Sequence, residues 1–227
     1  MFYFCVAMFM LVSGAIGQGN ISVNPESGKE YNAGLKLFSE GKFSPAFEHF
    51  RKAEQLDPGN TAAVFAQGLA LTRLNRPKEA VERFTTVLAK EPSHSKALLA
   101  LPSALCQMGE YDRAVAAYDR GIALSPKTAD LYTGKAVVLI KQKKYGEAVN
   151  VLDKARQLEP NNPKIQDTTA YVLAESGKLR EAAALAEKIL AVNPNNARAH
   201  VILGDNLRLA GKFTGALTHY RAALKSL

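Results

Sequence analysis

The chain has 227 residues, 47% of them apolar and 22% charged, proportions ordinary for a soluble domain, and nothing in the composition calls for a second one. Its formal net charge is +8, yet counted in 34-residue steps from Ser27 the excess is zero, +2, +1, +2, zero and +4, with Glu26 supplying the remaining negative charge. So diffuse an excess, with no aromatic-and-basic platform on which bases could stack, argues against nucleic acid as a partner.

Met1 to Val12 is an apolar run containing Phe2, Tyr3, Phe4, Val6, Phe9, Met10 and Leu11, followed by the small residues Ser13, Gly14, Ala15 and Gly17. That is the order of an h-region and a cleavage region, and Ala15 and Gly17 fall at the two sites a signal peptidase reads. Residues 1–17 are therefore expected to be an export signal, with a mature start near Gln18 and a periplasmic, secreted or secretory-lumen destination. The n-region has no Lys or Arg, so an uncleaved N-terminal anchor and a later true start are the alternatives; only as an anchor would the chain touch a membrane. Cys5 lies too early to be a lipoprotein acylation site. Residues 18–26 form a polar connector in which Asn20-Ile21-Ser22 fits the glycosylation acceptor pattern.

From Tyr31 to Asn60 the pattern is two short amphipathic helices. Leu37 follows Gly34 by three residues, and Ala46, Phe50 and Ala53 recur at spacings of four and three, a stripe of 3.6 period. Gly41 interrupts between the two helices. The second is predicted to stop at Asp57-Pro58, because proline disfavours helical geometry in the residue before it and cannot continue the ladder. This hairpin then repeats every 34 residues. Proline recurs at Pro58, Pro92, Pro126, Pro160 and Pro194; alanine at Ala46, Ala80, Ala114, Ala148, Ala182 and Ala216; leucine at Leu37, Leu71, Leu105, Leu139, Leu173 and Leu207. A unit this short cannot bury its own apolar face, so neighbours must stack and share a core. The repeated small residues, with Gly34, Gly68, Ala136, Ala170 and Gly204, mark close helix crossings, and Phe50, Phe84, Tyr118, Leu152 and Tyr220 fill the space beside them.

On these residues the chain resembles the tetratricopeptide repeat family, whose pattern of Gly, Tyr or Leu, Ala, aromatic, Ala and Pro it follows in six successive units. The resemblance implies an all-α fold, a right-handed α-solenoid of six helix-turn-helix repeats at 27–60, 61–94, 95–128, 129–162, 163–196 and 197–227. The family's early Trp is absent, with Glu30, Val64, Leu98, Tyr132, Gln166 and His200 in its place, and Ala186 is small where its counterparts are large. Pro102 replaces the Gly or Ala of the other units in the interior of a first helix, where a local bend is expected.

The sequence gives no sign of an enzyme. His49, His94, His200 and His219 show no metal-ligand spacing, no glycine-rich phosphate loop is present, and no metal or cofactor is expected. Cys106, alone once the leader is removed, is expected to be a small groove-lining or buried apolar residue.

What remains is binding to a protein or peptide. In proteins of the resembled family, a stripe one residue round from the Gly and Leu positions of the first helices lines the concave groove. Here that stripe reads Tyr31, Leu35 and Phe38; Phe65, Leu69 and Thr72; Leu99, Ser103 and Cys106; Thr133, Val137 and Ile140; then, turning polar, Asp167, Tyr171, Ala174 and Glu175, with Val201, Asp205 and Arg208. The expected peptide-binding residues are Tyr31, Leu35, Phe38, Phe65, Leu69, Leu99, Ser103, Val137 and Ile140, facing an apolar or amphipathic segment. The Lys and Asn clamp with which some family members hold chaperone C-termini is missing, since Tyr31, Leu35 and Ala66 stand at its sites. The function expected is a non-catalytic scaffold, with an assembly or regulatory factor of an envelope or secretory-pathway complex as the alternative. Leu217, Tyr220, Leu224 and Leu227 are expected to lie partly open to water at the last repeat and to support weak self-association.

Overall fold

In the computed structural model, residues 24–226 are described; the leader and most of the connector, with the export and glycosylation expectations placed on them, lie outside the described residues, as does Leu227. Among the described residues there are twelve helices and no strand: α1 Pro25–Ser39, α2 Phe43–Leu56, α3 Thr61–Arg73, α4 Pro77–Lys90, α5 Ser95–Gln107, α6 Tyr111–Leu124, α7 Ala129–Lys141, α8 Tyr145–Leu158, α9 Pro163–Glu175, α10 Leu179–Val192, α11 Ala197–Leu209 and α12 Phe213–Lys225. They pair as six hairpins on the 34-residue period, which is the all-α, solenoid-type repeat fold that the sequence predicts. The chain divides into two compact units, one ending at Ala117 and the other starting at Tyr118.

Each hairpin is punctuated in the same way. Between its helices one residue takes a left-handed conformation: Gly41, Gly109, Gly177 and Gly211 at φ 73° to 81°, Asn75 at 57° and Lys143 at 60°. At the first of these turns the Gly41 amide donates to the Phe38 carbonyl at 3.0 Å and the Lys42 amide to the Leu37 carbonyl at 2.9 Å, so orphan carbonyls at the helix end are satisfied. Five of the six first helices start with side-chain caps: Asn24, Asn60, Asn162 and Asn196 accept amides of the first turn, and His94 does so through Nδ1 from the Ala97 amide at 3.1 Å; Thr128 before α7 makes no such bond. The Asn24 cap brings Pro25 and Glu26 into α1, so the first hairpin starts two residues before Ser27. At the other end Asp57 is extended, φ −144°, and α2 stops before Pro58 as expected.

In the N-terminal unit α1 packs on α2, α2 on α3, α3 on α4 and α4 on α5; in the C-terminal unit the same order runs from α7 to α12. First helices also neighbour first helices, α3 with α5, α7 with α9 and α9 with α11. The small residues are what allow this approach. A Cβ added to Gly34 would stand 2.6 Å from the Phe50 ring, one at Gly68 2.5 Å from the Phe84 ring, and one at Gly204 2.5 Å from the Tyr220 ring. Tyr118 lies in the same way over Gly134 of the following hairpin, where an added Cβ would collide with its hydroxyl. Ala46, Phe50, Ala80, Phe84, Ala148, Leu152, Ala182 and Ala186 are all within 1% of complete burial. Buried polar bonds link the first two hairpins: Ser27 Oγ donates to the Ala53 carbonyl at 2.7 Å, Asn60 Nδ2 to Ser27 Oγ at 3.0 Å, and Gln67 Nε2 to the Phe50 carbonyl at 3.3 Å. Pro102 is buried inside α5, which continues on both sides of it with one ladder donor fewer.

Candidate peptide-binding surface

The groove register of the N-terminal unit is apolar, and the three first helices use it differently. On α1, Tyr31, Leu35 and Phe38 are half-buried and rest on a buried cluster of Ala46, Phe50, Ala66 and Ala70. The Tyr31 ring is tilted against Phe50 at 5.8 Å, and Phe38 meets Phe43 edge-on at 5.1 Å. Burial raises the Tyr31 phenol above its ordinary pKa. On α3 the expectation of presented anchors needs correcting. Phe65 is 7% exposed and Leu69 2%, and Thr72 is buried with its hydroxyl donated to the Gly68 carbonyl at 2.8 Å. The reason is position: α3 is flanked by α2, α4 and α5, and eleven of its thirteen residues are buried, so no apolar face is left over. Phe65 is held between the Phe84 ring at 5.6 Å and the His94 imidazole at 5.1 Å. On α5, Leu99, Ser103 and Cys106 are half-buried again.

In the C-terminal unit Val137 and Ile140 of α7 are half-buried, and Thr133 is buried with its hydroxyl on the Ala129 carbonyl at 3.0 Å. Beyond them the register is polar and its side chains hold one another. Asp167 of α9 accepts from Arg198 and, at 3.2 Å, from Asn196 Nδ2; the Arg198 guanidinium lies 5.3 Å over the Tyr171 ring. The Tyr145 hydroxyl donates to Glu175 at 3.3 Å, and the Tyr220 hydroxyl to Asp205 at 2.7 Å. Burial first, then the Glu175 carboxylate, raises the Tyr171 phenol. Tyr220 is half-buried, with its ring over Gly204 and its hydroxyl on Asp205, and so is partly open as expected; Leu217 and Leu224 are exposed.

The histidines have partners within the fold. His49 Nδ1 lies 2.7 Å from Glu30, whose carboxyl is held below its ordinary pKa by the Lys52 hydrogen bond first and by His49 next. His200 and His219 meet Nδ1 to Nδ1 at 3.0 Å. The capping role of His94 was readable and missed: it stands on the register of Asn60, Asn162 and Asn196. Among the described residues no group of three or more His, Cys, Asp or Glu is arranged to hold a metal ion. No helix among them is long and apolar enough to cross a membrane.

The sequence profile of the tetratricopeptide repeat matches residues 37–101, 71–138, 105–172 and 139–205, overlapping stretches that together span most of the chain. The chain belongs to the tetratricopeptide repeat family. Solved structures agree on the fold. A tetratricopeptide repeat protein from Parabacteroides merdae aligns with a TM-score of 0.75 at 16% identity over 88% of this chain and 80% of its own. PilF of Pseudomonas aeruginosa aligns with a TM-score of 0.71 at 19% identity over 86% and 88%. YrrB, described as a tetratricopeptide repeat protein with an unusual peptide-binding site, aligns with a TM-score of 0.63 at 19% identity over 79% and 93%. No curated protein sequence matches the chain. Tetratricopeptide repeat proteins are in general non-catalytic scaffolds for protein and peptide partners, and the fold of this chain suggests the same work.

Proposed function

We propose that this tetratricopeptide repeat protein is a non-catalytic scaffold that holds an apolar or amphipathic peptide on the first-helix row of its N-terminal unit. Tyr31, Leu35 and Phe38 on α1 and Leu99 and Ser103 on α5 are the contact residues, and Val137 and Ile140 offer a separate apolar patch in the C-terminal unit. The observation that carries this reading is the contrast with α3: at one register the fold consumes Phe65 and Leu69 entirely but leaves the α1 and α5 residues partly open. Large apolar side chains kept at a surface that packing does not need are what a recognition groove offers. The peptide-binding site named for YrrB, a protein of like fold, supports the reading.

The test is selection of binders from a random peptide library followed by fluorescence anisotropy with the selected sequences. Leu35→Lys and Leu99→Lys, with melting temperatures held near wild type, are expected each to weaken binding by about tenfold, ~1.4 kcal/mol, while Asp205→Ala has little effect. Selected peptides without aromatic or aliphatic anchors, or binding that survives both lysines and fails with Asp205→Ala, would overturn it.

A second reading concerns place. The apolar leader and its small-residue cleavage pattern support export, where the scaffold would serve as an assembly or regulatory factor of an envelope or secretory-pathway complex. Mass spectrometry of protein from its native host should find a mature N-terminus near Gln18; Met1 retained on cytoplasmic protein rules the reading out.

A further inference from the structure

The outer face of α12 is open where the matching faces of earlier helices are covered. One repeat upstream, Leu179, Ala183 and Leu190 pack against Ala199, Ile202 and Leu203 of α11. In the same register on α12, Phe213, Leu217 and Leu224 are 69%, 47% and 71% exposed. At about 100° per residue the three α12 side chains fall within about 40° of one another, a single stripe, with Arg221 and Lys225 along one edge of it.

Shape and charge together specify the occupant. The register accepts a helix wherever hairpins stack, α2 by α3, α4 by α5, α8 by α9 and α10 by α11. At the position of Arg221, repeats three to five carry Asp119, Asp153 and Glu187, and repeat one carries Arg51. Arg51 and Asp153 pair within their own helices, with Glu48 and Arg156, while Asp119 reaches across to Lys135 of the next first helix, Nζ to Oδ1 2.5 Å, so a charge here can meet the helix that docks beside it. The last repeat carries the opposite sign to repeats three to five. Arg221 and Lys225 are exposed and take part in no ion pair among the described residues.

We propose that this face binds an amphipathic helix of another polypeptide, with an apolar stripe flanked by carboxylates that meet Arg221 and Lys225. A second copy of the same face would set its cations against these, and residues 1–23 contain no acidic residue to answer them. The site is distinct from the first-helix row of the N-terminal unit, so the two can fail independently.

Two synthetic helices of about 15 residues test it, alike in a Leu and Ala stripe but flanked in one by Glu and in the other by Lys. Titrated onto the full chain, the Glu-flanked helix is expected to bind at least ~10-fold tighter than the Lys-flanked one, with the gap narrowing at high salt. Arg221→Glu should reverse the preference, and Leu217→Ala should weaken the Glu-flanked helix; both residues are exposed, and unchanged circular dichroism checks that the fold is intact. Equal affinity for the two helices, or affinity for neither, overturns the proposal. So does a dimer in light scattering that Leu224→Glu disperses and that excludes the peptide, which makes a second copy the occupant. Adsorption to phosphatidylserine vesicles without peptide binding overturns it in favour of a lipid surface.

Discussion

The groove register of the N-terminal unit and that of the C-terminal unit solve the same problem in opposite ways. Apolar side chains at this register have no directional demand, so they sink as far as their helix allows: fully on α3, half-way on α1 and α5. Charged ones cannot sink, and Asp167, Arg198, Glu175 and Asp205 instead hold each other and the tyrosines beside them at the surface. One register therefore serves as core on α3 and as an ordered polar surface on α9 and α11. A helix position in a repeat array has no fixed role; the side chain and the number of flanking helices decide it.

The sharpest way to break the contrast is to exchange its terms. Above the histidine range, where His94 is neutral, Phe65→Glu puts a buried carboxylate between the Phe84 ring and an uncharged imidazole, and should cost more than ~4 kcal/mol, enough to unfold the N-terminal unit in urea well before the wild type. The Asp167–Arg198 pair of the C-terminal unit carries far less. Arg198→Ala removes a partly exposed ion pair and a stacking contact, and about 1 kcal/mol is expected, shrinking as salt is added. A loss of several kcal/mol there would make the polar network a structural core after all. The smallest effect is on pH dependence. Burial is the main reason that the His94 imidazole titrates below its ordinary value, so the unfolded chain takes up a proton that the folded chain resists. The His94 contribution is fully present above the ordinary histidine range and is lost as pH falls through about 6.5 towards the lower folded value. His94→Asn keeps a capping side chain without the titration, and its stability between about pH 7.5 and about pH 5.5 should fall less than that of the wild type. Parallel curves would show that His94 is not the group responsible.

Most of the fold was legible because its determinants are local and repeated: the prolines, the left-handed turn residues and the small residues at crossings all fall on one period. Asn75 and Lys143 show how strong that period is, since both adopt the conformation that glycine takes at the other four turns. The binding surface was less legible. Its stripe could be drawn from the register, but Phe65 and Tyr31 look alike in sequence and differ in burial because α3 has a hairpin on each side.

The aromatic rings seated over glycines carry a consequence for how this chain can change. Four hairpins show the same joint. Where the first helix offers Gly34, Gly68 or Gly204, the second offers Phe50, Phe84 or Tyr220, and where it offers Ala136 the second offers Leu152; hairpins three and five, with Pro102 and Tyr118 and with Ala170 and Ala186, depart from the rule. In those four the joint conserves a volume rather than a residue. Drift at either position alone meets a clash or a void, so the two sites move through sequence space as a linked pair, and a hairpin transplanted whole carries its compatibility with it.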